Sequence, residues 1–192
     1  MQAMTQIYEL ETERLQLRQW RKSDKEPFAR LNGSEQVMAY FPSTLSTAES
    51  DKLAERIADG IASNGWGFWA VEVKDKHPFI GFVGLNRPRY ELPFGPCVEV
   101  GWRLDSPYWG NGYATEAASA AIAFAFQTLA LEKVVSFTAL VNVRSQAVMR
   151  RLRMERASET FLHPNVPAGH ELQEHCLYEL SQERWLSIMG SD

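Results

Sequence analysis

The sequence predicts a mixed α/β fold of the α+β class: a central, mostly antiparallel β-sheet with helices on both faces. Three observations predict it. Residues 67–73, 79–85 and 98–104 are β-rich runs separated by segments rich in Pro, Gly, Lys and Asp that suit turns, the pattern of an antiparallel meander. Residues 115–129 are alanine-rich and apolar at helical spacing. The second half then runs strand, helix, strand, helix, strand, an order that favours a sheet covered on both faces over a bundle or a sandwich.

Taken in order, residues 14–19 alternate apolar Leu15 and Leu17 with polar neighbours, as a half-buried strand does. Ser23 with Glu26, and Ser46 with Glu49, each fit the S-x-x-E capping box, in which two side chains satisfy free backbone N–H groups at a helix start. The second box leads into Leu53, Ile57 and Ile61, spaced by four on one face, and Gly65 is placed to end that helix as a left-handed cap. After the three meander strands, Ala114, Ala118, Ala121, Ile122, Ala125 and Leu129 share one face of the alanine-rich helix. Residues 134–141 read as a strand, 145–152 as a short helix and 174–180 as a last strand.

Length and composition bound the function. A chain of 192 residues supports one well-buried core, so one domain over 1–192 is expected. No apolar run approaches the ~20 residues of a membrane-spanning helix, and residues 1–11 are polar and acidic, unlike a secretory signal. A cytoplasmic location is the default expectation. The net charge of −4 does not supply the positive surface that grips nucleic acid. Cys97 and Cys176 belong to no C-x-x-C pattern and read as two buried, reduced thiols. The spacing of His163, His170 and His175 matches no familiar ligand set, so no metal is expected.

The chemistry points to Pro107, Tyr108, Trp109, Gly110, Asn111, Gly112, Tyr113, Ala114, Thr115 and Glu116, between the 98–104 strand and the alanine-rich helix. A strand feeding a Gly-rich turn that opens a helix makes an anion site: glycines let the backbone approach, and unpaired N–H groups point outward with the helix dipole behind them. A bare G-x-G is equally a tight strand-to-helix turn. A dinucleotide fingerprint would want a third glycine where Thr115 stands and an acidic residue closing the next strand, whereas Glu132 precedes it.

The run Y-W-G-N-G-Y-A-T-E-A after V-E-V-G-W-R-L resembles the acetyl-CoA loop of the GNAT superfamily of N-acetyltransferases, and more narrowly its ribosomal-protein N-terminal (serine/alanine) acetyltransferase branch. The family's Q/R-x-x-G-x-G/A pattern falls on Trp109, Gly112 and Ala114, with Trp109 departing from the superfamily in the manner of this branch. The similarity extends through T-E-R-L-Q-L-R, G-W-G-F-W-A-V-E and F-I-G-F-V-G-L, over nearly the whole chain. It implies a sheet in which the 98–104 strand splays from the strand beginning at Val134. The pantetheine arm of acetyl-CoA would pair with backbone near Trp102, Arg103 and Leu104, and its pyrophosphate would rest on Gly110, Asn111, Gly112, Tyr113 and Ala114, with Trp109 and Thr115 flanking.

Asn142, Val143, Arg144 and Ser145 match the family's N-x-x-S. The resemblance implies that Asn142 bonds pantetheine amides and that Ser145 protonates the departing thiolate; on residues alone, Asn142 is an N-cap. Glu99 shares the parity of Gly101 and Arg103 and resembles the carboxylate that serves as base in several members, though the position also suits an ordinary half-exposed strand glutamate. Tyr108 and Tyr113 are alternative acids. Neither cysteine has an evident His partner, which argues for direct attack by the amine and against an acyl-cysteine. Arg144, Arg150, Arg151, Arg153 and Arg156 form a basic patch, one or two of which could meet the ribose phosphate of coenzyme A. Arg153 stands where relatives carry a glycine, so the helix there is expected to end differently. Loops such as 163–170, and Trp66, Gly67, Phe68 and Trp69, border the acceptor cleft in relatives. The expected partners are acetyl-CoA and an amine, either a peptide N-terminus or a small molecule; a non-catalytic acyl-CoA-binding module is the alternative. By analogy, a monomer or homodimer is expected.

Overall fold

A computed structural model describes residues 5–190. Its eight strands are β1 (Leu10–Glu11), β2 (Leu15–Arg18), β3 (Phe68–Val73), β4 (His77–Asn86), β5 (Glu99–Leu104), β6 (Lys133–Ala139), β7 (Glu155–Leu162) and β8 (Glu174–Ser181). They form one sheet in the order β1-β2-β3-β4-β5-β6-β8-β7, with every neighbouring pair antiparallel except β5 and β6. The helices are α1 (Lys25–Asn32), α2 (Thr47–Asn64), α3 (Tyr113–Gln127), α4 (Val143–Arg151) and α5 (Gln182–Met189). This is the mixed α/β fold that the sequence predicts.

The strand periodicity sends alternate side chains to two layers. On β3, Trp69, Val71 and Val73 join Leu15, Leu17, Val100 and the buried alanines of α3 in the main core, while Ala70 joins Phe28 and Leu31 of α1 on the opposite face. A bulge between Val71 and Val73 lets Phe79 and Phe82, three residues apart on β4, reach that second cluster together. The small side chains of Ala117, Ala118, Ala121 and Ala125, all fully buried, let α3 lie close on β4 and β5.

Ser46 and Glu49 close their capping box, and Gly65 ends α2 in the left-handed region, φ 83°. The box expected at Ser23 and Glu26 does not form. A 3-10 turn at Lys22–Asp24 precedes α1, and the buried Asp24 carboxylate accepts the Arg21 N–H while pairing with Arg18. An ionic partner one residue along outcompetes the hydroxyl. Arg153 lies at φ 61° and closes a Schellman motif: Arg153 N–H donates to the Arg150 carbonyl, Met154 N–H to Met149, and the Met149 and Met154 side chains are buried. The helix therefore ends as a glycine-capped one would, with an arginine in the glycine's conformation. Residue patterning missed three elements: β1, α5 and the mostly exposed edge strand β7.

Candidate active site

β5 and β6 run parallel and share one register pair, Glu99 with Val135, reinforced by Val135 N–H donating to the Val98 carbonyl at 3.0 Å. Beyond that vertex the strands diverge, leaving their facing edges without ladder partners, so the slot that the resemblance implies is present. Trp102 and Leu104 face α3 and the main core. The Leu104 carbonyl accepts Trp109 Nε1–H at 2.8 Å. The Trp109 indole is thus a brace that ties the loop to the end of β5, and the Arg144 guanidinium lies 4.7 Å from its ring centre.

The loop itself is built for backbone recognition. Gly110 and Gly112 lie at φ 78° and 80°, where a side chain is strained, and the space where a Gly110 Cβ would stand is open. No side chain caps the N-terminus of α3, so the first N–H groups over Tyr113, Ala114 and Thr115 are left to an external acceptor. Asn111 is exposed and donates back to the Tyr108 and Trp109 carbonyls, holding the turn. Sequence reasoning missed Arg14. Glu116, in the first turn of α3, pairs with it and sets its guanidinium over Tyr113 and beside Gly112, a cation at the rim of the anion loop.

Across the slot, Asn142 is the N-cap of α4. Its Oδ1 accepts Ser145 N–H at 3.2 Å, and its Nδ2 donates to Thr138 Oγ1 at 2.9 Å and to Ser145 Oγ at 3.1 Å. The Ser145 hydroxyl, already accepting, keeps its own proton free to donate elsewhere. Tyr108 packs edge-on against His77, and Tyr113 lies beneath Arg14.

Glu99 sits at the vertex, half-buried, and accepts Asn86 Nδ2–H at 2.6 Å. Burial pushes its carboxyl up to about 7, although the Asn86 bond pulls the other way. Tyr90 and Cys97 are close enough to feel its charge; both are held above their usual values chiefly by burial, Cys97 at about 11. That leaves Cys97, half-buried and not fully buried as its pattern suggested, a poor thiolate nucleophile. Tyr90 Oη lies 3.2 Å from His163 Nε2. His163 packs against His175 with ring centres 4.6 Å apart, Phe137 and Phe161 contact the pair, and Phe94 packs on both phenylalanines. Burial, then the neighbouring His175, brings the His163 pKa down to about 4; burial lowers His175 as well, so both rings are neutral at pH 7. The 163–170 loop thus reaches this region, as expected. Trp66 and Trp69 do not border it: both are buried in the main core, and only Phe68 lies under Gly101.

The chain belongs to the GNAT acetyltransferase family: the family model described as an acetyltransferase (GNAT) domain matches residues 14–155. It is an acetyl-CoA-dependent acyltransferase of that family. The chain is 27% identical over 174 residues to the N-acetyltransferase YnaD of Bacillus subtilis (strain 168), itself uncharacterised, covering 91% of this chain and 97% of the relative. Its fold superposes on a GNAT-family acetyltransferase from Bacillus anthracis with a TM-score of 0.76 at 22% identity, covering 92% and 99% of the two chains. It also superposes on RimL, a ribosomal L7/L12 α-N-protein acetyltransferase in complex with coenzyme A, at 0.70 and 16% identity, covering 90% and 97%.

Proposed function

We propose that this enzyme acetylates the N-terminal α-amine of a peptide by direct attack within a ternary complex. Acetyl-CoA supplies the activated acetyl thioester. Glu99 carries this reading: a carboxylate at the vertex of the slot with a pKa of about 7 is matched to taking a proton from an ammonium near neutral pH. The neutral aromatic surface of Tyr90, Phe94, Phe137, Phe161 and His163 excludes water around the amine and offers no competing cation. The named activity of RimL supports the choice of a peptide terminus.

In this reading the backbone of Gly110, Gly112, Tyr113, Ala114 and Thr115 holds the pyrophosphate, Arg14 and Arg144 flank it, and the open edge of β5 at Trp102 and Arg103 pairs with the pantetheine. Asn142 presents the Ser145 hydroxyl, which delivers a proton to the departing thiolate. Thiol release from acetyl-CoA across a panel of N-terminal peptides and small amines tests this. Turnover on peptides with a kcat loss of ~10²-fold in Ser145→Ala supports it. Turnover confined to small amines removes the peptide reading, and acetyl-CoA binding with no acceptor turned over favours a binding module.

A further inference from the structure

Two residues beyond Gly101 on the same face of β5 stands Arg103, a half-buried arginine whose surroundings differ from those of the fully buried Arg18. Its Nε is shielded from solvent and is the one buried side-chain polar atom without a hydrogen-bond partner among the described residues. No carboxylate pairs with it among the described residues, in contrast to Arg18, which is bonded to both Asp24 and Glu72. Its hydrogen-bond and ring partners among the described residues are neutral. Nη1 donates to Asn32 Oδ1 at 2.7 Å, Phe41 lies 4.2 Å away and Phe82 5.4 Å.

This neighbourhood is built. Asn32, fully buried at the end of α1, donates its Nδ2 to Ser50 Oγ of α2 at 2.9 Å, which turns its Oδ1 toward Arg103. Two helices thus fix the guanidinium with dipoles that leave its charge whole. Phe41, exposed on the connection between α1 and α2, covers it from the solvent side. Burial alone lowers the Arg103 pKa, to about 10, so it remains a cation at neutral pH. Two aromatic faces offset only part of the cost of holding this charge away from water without an ionic partner. Between Arg103 and Glu99 the floor is Gly101, where a Cβ would press on the Phe68 ring at 3.1 Å. The α-carbons of Glu99 and Arg103 are separated by roughly 13 Å of strand.

We propose that Arg103 is the specificity-determining residue of the acceptor subsite, binding a carboxylate on the same molecule whose amine is placed at Glu99. The acceptor is therefore an acidic peptide or other amine with an anionic group on its distal side. This rests on the acetyl-transfer reading above. The anion supplies the missing second partner: with the half-exposed Phe41 ring displaced from the guanidinium, a carboxylate takes the Nε–H together with an Nη–H, the bidentate geometry that Asn32 alone cannot complete.

The test uses matched tripeptides, one member with a carboxylate at the second or third side chain or at the C-terminus, the other amidated at that group. At saturating acetyl-CoA, wild-type enzyme is expected to favour the acidic member by tenfold or more in kcat/KM, mostly through KM. Arg103→Lys should keep part of that ratio and Arg103→Met should collapse it. A wild-type ratio near one, or a ratio that persists in Arg103→Met, overturns the proposal. So does an Arg103→Met loss confined to acetyl-CoA affinity measured by calorimetry, which would assign the charge to the cosubstrate phosphates. The wild-type comparison stands even if Arg103→Met fails to fold. If no peptide is turned over, calorimetric binding of the same pairs to the protein–coenzyme A complex separates the two ideas: preference for the acidic member retains the subsite and removes acetyl transfer to peptides, and no preference removes the subsite.

Discussion

Glu99 illustrates how one residue couples stability to activity. Its folded-state pKa of about 7 lies above the ordinary carboxylate value of 4.5, so the native state binds the proton more tightly than the unfolded chain. Its favourable contribution is therefore complete below about pH 4.5 and is lost as pH rises through 7. Glu99→Gln, always neutral, should gain up to about 3 kcal/mol on the wild type at pH 8 and little at pH 4.5, read by denaturant unfolding at both values. In kcat/KM the same residue should produce an ascending limb near pH 7. Glu99→Gln should flatten that limb and lower the rate ~10²–10⁴-fold. A glutamate with only a structural role would leave the limb in place.

At the scale of elements, α4 ends at a strained position. The left-handed conformation costs an L-residue about 1–2 kcal/mol, and Arg153 bears that cost at φ 61°. Arg153→Gly should raise stability by about 1 kcal/mol, because the Schellman bonds and the bond from Arg184 Nε all use the backbone of this turn and survive the change. Thermal denaturation checks it. The opposite sign is expected where β2, β3 and the turn before α1 are tied together. Arg18, 1% exposed, is held by Asp24 at 2.8 and 3.0 Å and by Glu72 at 2.9 Å. Asp24→Asn removes one charge of a buried set and should destabilise by about 3–5 kcal/mol, measured by equilibrium unfolding.

For the whole molecule, the decisive feature is the single register pair between β5 and β6. A sheet whose central strands separate leaves backbone groups that an extended ligand can satisfy, so binding of acetyl-CoA should stabilise the fold. At a concentration 100 times its dissociation constant the gain is about 2.7 kcal/mol, visible as a rise in Tm. Gly112→Val places a branched side chain at φ 80° at the start of α3, beside Arg14. It should abolish that ligand-dependent rise while destabilising the unliganded fold by only the strain, about 1–2 kcal/mol.

What the sequence by itself determined is local. The meander strands, the alanine face of α3, the box at Ser46 and Glu49, the cap at Gly65 and the glycine loop at Gly110 and Gly112 each depend on residues within a few positions of one another. Period, cap and turn chemistry are therefore readable from the chain. Tertiary structure decided the rest. Trp69 and Phe68 are adjacent in the chain and the strand period sends them to opposite faces, but only packing decides that Trp69 is core and Phe68 lies under the cleft. Ser23 gives up its capping role beside the Arg18–Asp24 ion pair, which is buried once Glu72 of β3 closes over the same guanidinium. Arg103 gains its unpartnered charge from Asn32, Phe41 and Phe82, and Glu99 its raised pKa from desolvation where loop and strands converge. Burial and charge pairing sum over residues distant in sequence, and no local pattern encodes that sum.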